Sequence, residues 1–111
     1  MNDRELLELA AKAVGYRTDH KWNAERLELE PAVASIVAYS GDRLVSTAWN
    51  TLENDGHALR LAIEIGIFDG PKSFAKFYPW LSDALVVIDD YASAFKRAIT
   101  CYAAEIGRAM P

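Results

Sequence analysis

A single cysteine, Cys101, stands in a chain of 111 residues, so no internal disulfide staples the fold. A lone thiol inside an amphipathic helical pattern reads as a buried, inert group, which fits a reducing compartment. Glycine and proline are scarce, at six and four, too few for long tails or linkers. Long apolar runs are missing. The longest purely aliphatic stretch, Ala84 to Ile88, falls far short of the roughly 20 residues that span a bilayer, and the N-terminus has no charged-then-apolar leader pattern. A cytoplasmic protein without membrane contact is expected. Basic residues are outnumbered, 12 against 16 acidic ones for a net charge of −4, which argues against broad nucleic-acid binding by counterion release and leaves room only for a local basic patch.

Chemistry-bearing constellations are also lacking. The two histidines, His20 and His57, are too far apart for a helix-face pair and have no neighbouring cysteine, so no metal site and no cofactor are expected. The serines lack a nucleophile-elbow context, and no phosphate loop occurs. What remains is an ordinary globular composition, 51% hydrophobic and 25% charged, of a size to fold residues 1–111 as one domain around one core.

Periodicity predicts a first helix over about residues 3 to 14, with Leu6, Leu7, Ala10, Ala13 and Val14 on one face. Asn2 and Glu5 form its capping box, and Gly15 sits at its C-cap. Residues 16 to 30 read as loop with at most a short strand. Val33 to Tyr39 and Arg43 to Trp49, divided by Gly41-Asp42, read as a hairpin. Asn54 or Asp55 caps a second helix over about residues 56 to 66, ended by Gly66. Ser73 to Trp80 and Ala84 to Ile88 read as two more strands, with Pro79 limiting the first and Ser82-Asp83 turning between them. A long helix over about residues 90 to 109, capped by Asp89 or Asp90, closes the chain. The expected class is α+β: helix, hairpin, helix, hairpin, helix, with a small, largely antiparallel four-stranded sheet and packed helices.

The stretch Trp49-Asn50, Leu52, Asn54-Asp55-Gly56 and Ala58-Leu59-Arg60-Leu61-Ala62, the opening Leu6 to Ala13, and the closing Arg97-Ala98-Ile99 with Ala103 to Gly107 together resemble a family of small phage and prophage proteins. In that family the central motif reads Trp-Asn-Pro-Leu, an acidic pair with glycine, then Ala-Leu-Arg-Leu-Ala. The layout is also similar to the phage ABA-sandwich domain, in which helices flank a small sheet. The resemblance covers about half the chain and implies a phage or prophage origin in a host cell's cytoplasm rather than an activity. Thr51 replaces the motif's proline here, and the segment from Phe74 to Trp80 is more aromatic than the pattern.

Two groups of residues are candidate sites. Trp49, Asn50, Asp55, Gly56 and Arg60 place an indole beside helix-N-terminal amides, which suits an anionic or planar ligand. The simpler reading makes Trp49 core, Asp55 a cap and Gly56 a turn residue. Lys72, Phe74, Lys76, Phe77, Tyr78 and Trp80 interleave cations with rings, suiting base stacking or a protein hot spot. Strand alternation puts Phe74, Lys76, Tyr78 and Trp80 on one side and Ala75 and Phe77 on the other, with core filling as the competing reading. Asp83, Asp89 and Asp90 read as helix caps more readily than as catalytic acids, and Glu25, Glu28 and Glu30 as solvated surface more readily than as a nucleic-acid mimic.

The function these residues suggest is that of a non-enzymatic phage or prophage accessory protein binding a host or phage protein, as in counter-defence, through the 74–80 segment. A second reading is a nucleotide binder or sequestering protein using Trp49, Arg60, Lys72 and Lys76. A weak hydrolase is a remote third. Twelve aromatic residues and free sheet edges also suggest a homo-oligomer.

Overall fold

The computed structural model describes residues 1–111. Its order is α1 (Asp3–Ala13), α2 (Lys21–Leu27), β1 (Ile36–Ser40), β2 (Arg43–Trp49), α3 (Asp55–Glu64), α4 (Pro71–Val87) and α5 (Tyr91–Ala109). The class is α+β, with five helices and one two-stranded antiparallel sheet. No helix is long and apolar enough to cross a membrane.

Helices α1, α3 and α5 form where period and caps agree. The Asn2 side chain accepts the Glu5 N–H at 2.8 Å, Asn54 accepts that of His57 at 2.9 Å, and Asp90 accepts that of Ser93 at 3.0 Å. Each cap satisfies an amide that the helix itself leaves unpaired. Asn54, not Asp55, is the cap of α3. Both α1 and α3 end on a glycine with positive φ, Gly15 at 77° and Gly66 at 80°. The Tyr16 and Ile67 amides then reach back to the carbonyls of Ala11 and Ala62, closing the helix ends in a Schellman arrangement.

Helix α5 is the centre of the molecule, packing most extensively against α1, then α4, then α3. Small residues let α1 and α5 approach closely. A Cβ built on Gly107 would lie 1.9 Å from the Leu9 carbonyl oxygen. The core joins Leu7, Ala10 and Ala11 of α1, Ala98, Ile99 and Ala103 of α5, Leu61 of α3, Phe77 and Leu81 of α4, and Ile36, Ala38 and Trp49 of the hairpin.

The expected four-stranded sheet is not present. Residues 73–80 and 84–88, read as strands from their alternation, belong to the single helix α4. Phe74, Phe77, Leu81 and Ala84 recur at helical spacing and face the core, and burial of that face against α5 outweighs local strand propensity. Pro79 lies on the exposed side, as does Ala75, whose carbonyl a proline four residues on cannot bond.

The sheet also stays narrow for reasons on both edges. Along β1 the outer edge is already occupied: the Asn23 side chain both accepts from the Val37 N–H at 2.7 Å and donates to its carbonyl at 2.9 Å, and Arg17 and Tyr39 exchange backbone bonds at 2.7 and 3.0 Å. The register steps from Ile36↔Trp49 to Ala38↔Ser46 to Tyr39↔Leu44, which inserts extra residues twice in β2. Such bulges bend and twist a free edge away from further pairing. The 16–30 segment, read as loop, contains α2, too short at seven residues to show a period.

Candidate functional site

The turn from β2 into α3 is held by its own polar groups. Trp49 is 2% exposed and its ring meets Tyr16 edge-on at 5.7 Å. The Asn50 N–H donates to His57 Nδ1 at 3.1 Å, and its side chain accepts the Leu52 N–H at 3.0 Å. Burial lowers the His57 pKa from its usual 6.5, so the neutral ring that accepts this bond is the favoured form. Asp55 is exposed and accepts from Lys96 Nζ at 2.8 Å, tying the start of α3 to α5.

Arg60 lies on the solvent side of α3 and pairs with Glu64 at 2.9 Å; Glu64 also accepts from the Tyr16 hydroxyl at 2.9 Å. Burial first, then the Glu64 hydrogen bond and charge, push the Tyr16 phenol up to about 12. Trp49, Asn50, Asp55 and Arg60 are thus near one another in sequence but engaged with different partners. Trp49 offers no free face for stacking a ligand.

Helix α4 distributes the second group differently from a strand. Residues two apart sit about 200° apart on a helix, so Lys76 points away from both Phe74 and Tyr78. Phe77 is fully buried, its ring 5.5 Å from Phe95 and 5.8 Å from Tyr102. Trp80 is half-buried, 6.0 Å from Tyr102. Phe74 is half-buried too, 5.7 Å from Phe77 and 6.5 Å from Tyr78. Lys72, Lys76 and Tyr78 are exposed.

These rings form a connected series. From Tyr78 it passes through Phe74 and Phe77 to Phe95 and on to Tyr91, 6.1 Å beyond. Both ends surface, Tyr78 at 53% and Tyr91 at 58% exposure. Beside Phe95, a cleft of about 140 Å³ between α3 and α5 is lined by Leu59, Phe68, Ala92 and Ile99, and Leu59 and Phe68 are themselves more than half exposed. Sequence reasoning passed over Phe68, Leu59 and Tyr91. One signal was there: α3 is apolar around more of its circumference than one core face accounts for.

The larger clefts lie elsewhere. One of about 450 Å³ is bounded by Asn2, Asp3, Arg4, Leu27 and residues 32–34; another of about 550 Å³ lies across that segment, against Ala48, Asn50, Glu53 and Asn54. The buried Arg4 guanidinium at the first is already engaged, with Glu8 at 2.7 Å, the Val33 carbonyl at 3.3 Å and the Asn23 carbonyl. No three His, Cys, Asp or Glu side chains gather to hold a metal ion. Burial raises the Cys101 thiol, away from the thiolate that nucleophilic chemistry needs. Asp90 is held below the usual carboxylate range by the Ser93 hydroxyl and amide, as a cap rather than an acid catalyst. Set against known protein families, curated proteins and solved structures, the chain finds no match.

Proposed function

We propose that this chain is a non-enzymatic accessory protein of a phage or prophage that acts by binding a host or phage protein, as a counter-defence factor does. The observation that carries the binding reading is the ring series along α4 and α5, whose two ends, Tyr78 and Tyr91, are each more than half exposed. Exposed tyrosines braced by buried rings act as anchors in protein interfaces, where they contribute large apolar area at little entropic cost. The phage origin is supported by the Trp49 to Ala62 motif together with the matching opening and closing helices.

The test is retention of host proteins from lysate by the immobilised chain, compared with a Tyr78→Ala/Tyr91→Ala variant of unchanged far-UV circular dichroism. Proteins held by the wild type and lost by the variant support the reading; identical retention, or none, ends it.

A nucleotide binder is the second reading, favoured by Lys72 and Lys76, one turn apart, exposed and outside the ion pairs of the chain. A ligand at 100 times its Kd adds about 2.7 kcal/mol, so a thermal-shift panel of mono-, di- and cyclic nucleotides decides it. Flat melting curves count against it.

A further inference from the structure

Helix α4 carries its charges against its own dipole. Lys72 sits at the second position of the helix and Lys76 one turn later, with no acid in the first turn; Asp83 lies near the C-terminal end, with no base in the last turn. Helix α1 shows the opposite, favourable arrangement, with Asp3 and Glu5 first and Lys12 last. Lys72, Lys76 and Asp83 are all exposed, and none belongs to an ion pair. Only α5 packs extensively on α4, and the outward side keeps Val86 and Val87 at 81% and 79% exposure.

We propose that a second copy of the chain covers this side, with the two α4 helices antiparallel about a two-fold axis near Pro79 and Trp80. Lys76 and Asp83 are two turns apart and within about 20° of each other on the helix. A perpendicular two-fold axis brings the same flank of both helices together, so Lys76 of each copy faces Asp83 of the other. The same register puts Val86 opposite Ala75 and the aliphatic stem of Lys72, larger against smaller. The inverted charges become reciprocal cross-pairs, and the two helix dipoles run antiparallel. A helix of 17 residues is about 25 Å long, and one such helix per side lies below the roughly 1,200 Å² of a standard interface, so the dimer is weak and salt-sensitive. The charge pair that defines the surface, Lys76 with Asp83, projects about 140–160° around α4 from Tyr78, so this inference goes beyond the partner-binding reading and stands without it.

Sedimentation velocity of the full chain from micromolar to near-millimolar concentration tests it. At low salt the mass is expected to rise from 12.3 kDa toward twice that value, and less so at high salt. Lys76→Asp alone and Asp83→Lys alone are expected to weaken association about tenfold or more, and the combined exchange to restore it to within about threefold of wild type. All three variants alter exposed positions, and circular dichroism checks their folding. A monomer throughout the range at low salt, a dimer indifferent to the single reversals, or a combined variant that does not recover would each overturn the proposal.

Discussion

The hydroxyls of Thr51 and Thr100 lie 2.7 Å apart with both residues fully buried, joining the turn after β2 to the middle of α5. Thr100 donates to the Lys96 carbonyl at 2.9 Å, so Thr51 is the donor within the pair. Thr100→Val removes the acceptor and strands the Thr51 hydroxyl in the core, and is expected to cost about 1–3 kcal/mol. Thr51→Val strands nothing and is expected to cost less, near 1 kcal/mol. The double variant should lose less than the sum, a coupling readable by a urea-denaturation cycle.

Gly107→Ala inserts a methyl where the Leu9 carbonyl already stands. Backbone cannot swing aside as a side chain does, so α1 and α5 must separate. Overpacking of this kind costs about 1–3 kcal/mol or more, and each kcal/mol lowers Tm by roughly 4–8 °C in a domain near this size. An unchanged melting temperature would show that the two helices are not this close.

Pro79→Ala tests the helical state of α4. It supplies an amide to the exposed Ala75 carbonyl and removes a residue about 3 kcal/mol less favourable than alanine inside a helix, offset in part by the freer unfolded chain. Stability measured in urea is expected to rise by about 1–2 kcal/mol. In a strand the same change would bring no helical signal and no such gain.

Below neutrality, His57 should make the protein less stable. Its folded pKa is lowered, so the unfolded chain binds the proton more readily. The contribution is therefore fully present above the unfolded value of about 6.5 and lost as pH falls through the lower folded value. A His57→Asn variant, whose side-chain oxygen can still accept the Asn50 amide, is expected to flatten the pH dependence between pH 7.5 and 5 in denaturation experiments.

Tyr16 should ionise late, near 12, in an ultraviolet titration of the folded protein. Its raised value means a stabilising contribution fully present below about pH 10 and lost as pH rises through about 12. Glu64→Gln should bring the phenol partway down, since the carboxylate's charge goes while burial, the larger cause, remains.

Much of the helical architecture was legible. Asn2, Asn54 and Asp90 each precede an apolar period, and cap and period report the same element by independent physics. The hairpin was legible from Gly41 and its β-branched flanks. Helix α4 was not, because Phe74, Lys76, Tyr78 and Trp80 alternate as a strand does while Phe74, Phe77, Leu81 and Ala84 repeat as a helix does. Both patterns occupy the same residues, and Pro79 weighed against the correct one. Among the candidate site residues, the burial of Trp49 against Tyr16 depends on a contact 33 positions distant in sequence, which no local pattern encodes.

By itself, the order of side chains determined where helices start and stop, because capping and periodic burial act within a few residues. Only tertiary structure decided that α5 would draw Phe74 to Ala84 into a helix, that Asn23 and Arg17 would close the edge of β1, and that Tyr78, Tyr91 and Phe68 would stay exposed. Those outcomes are set by the apolar area that distant segments remove from water together, a quantity larger than any local preference.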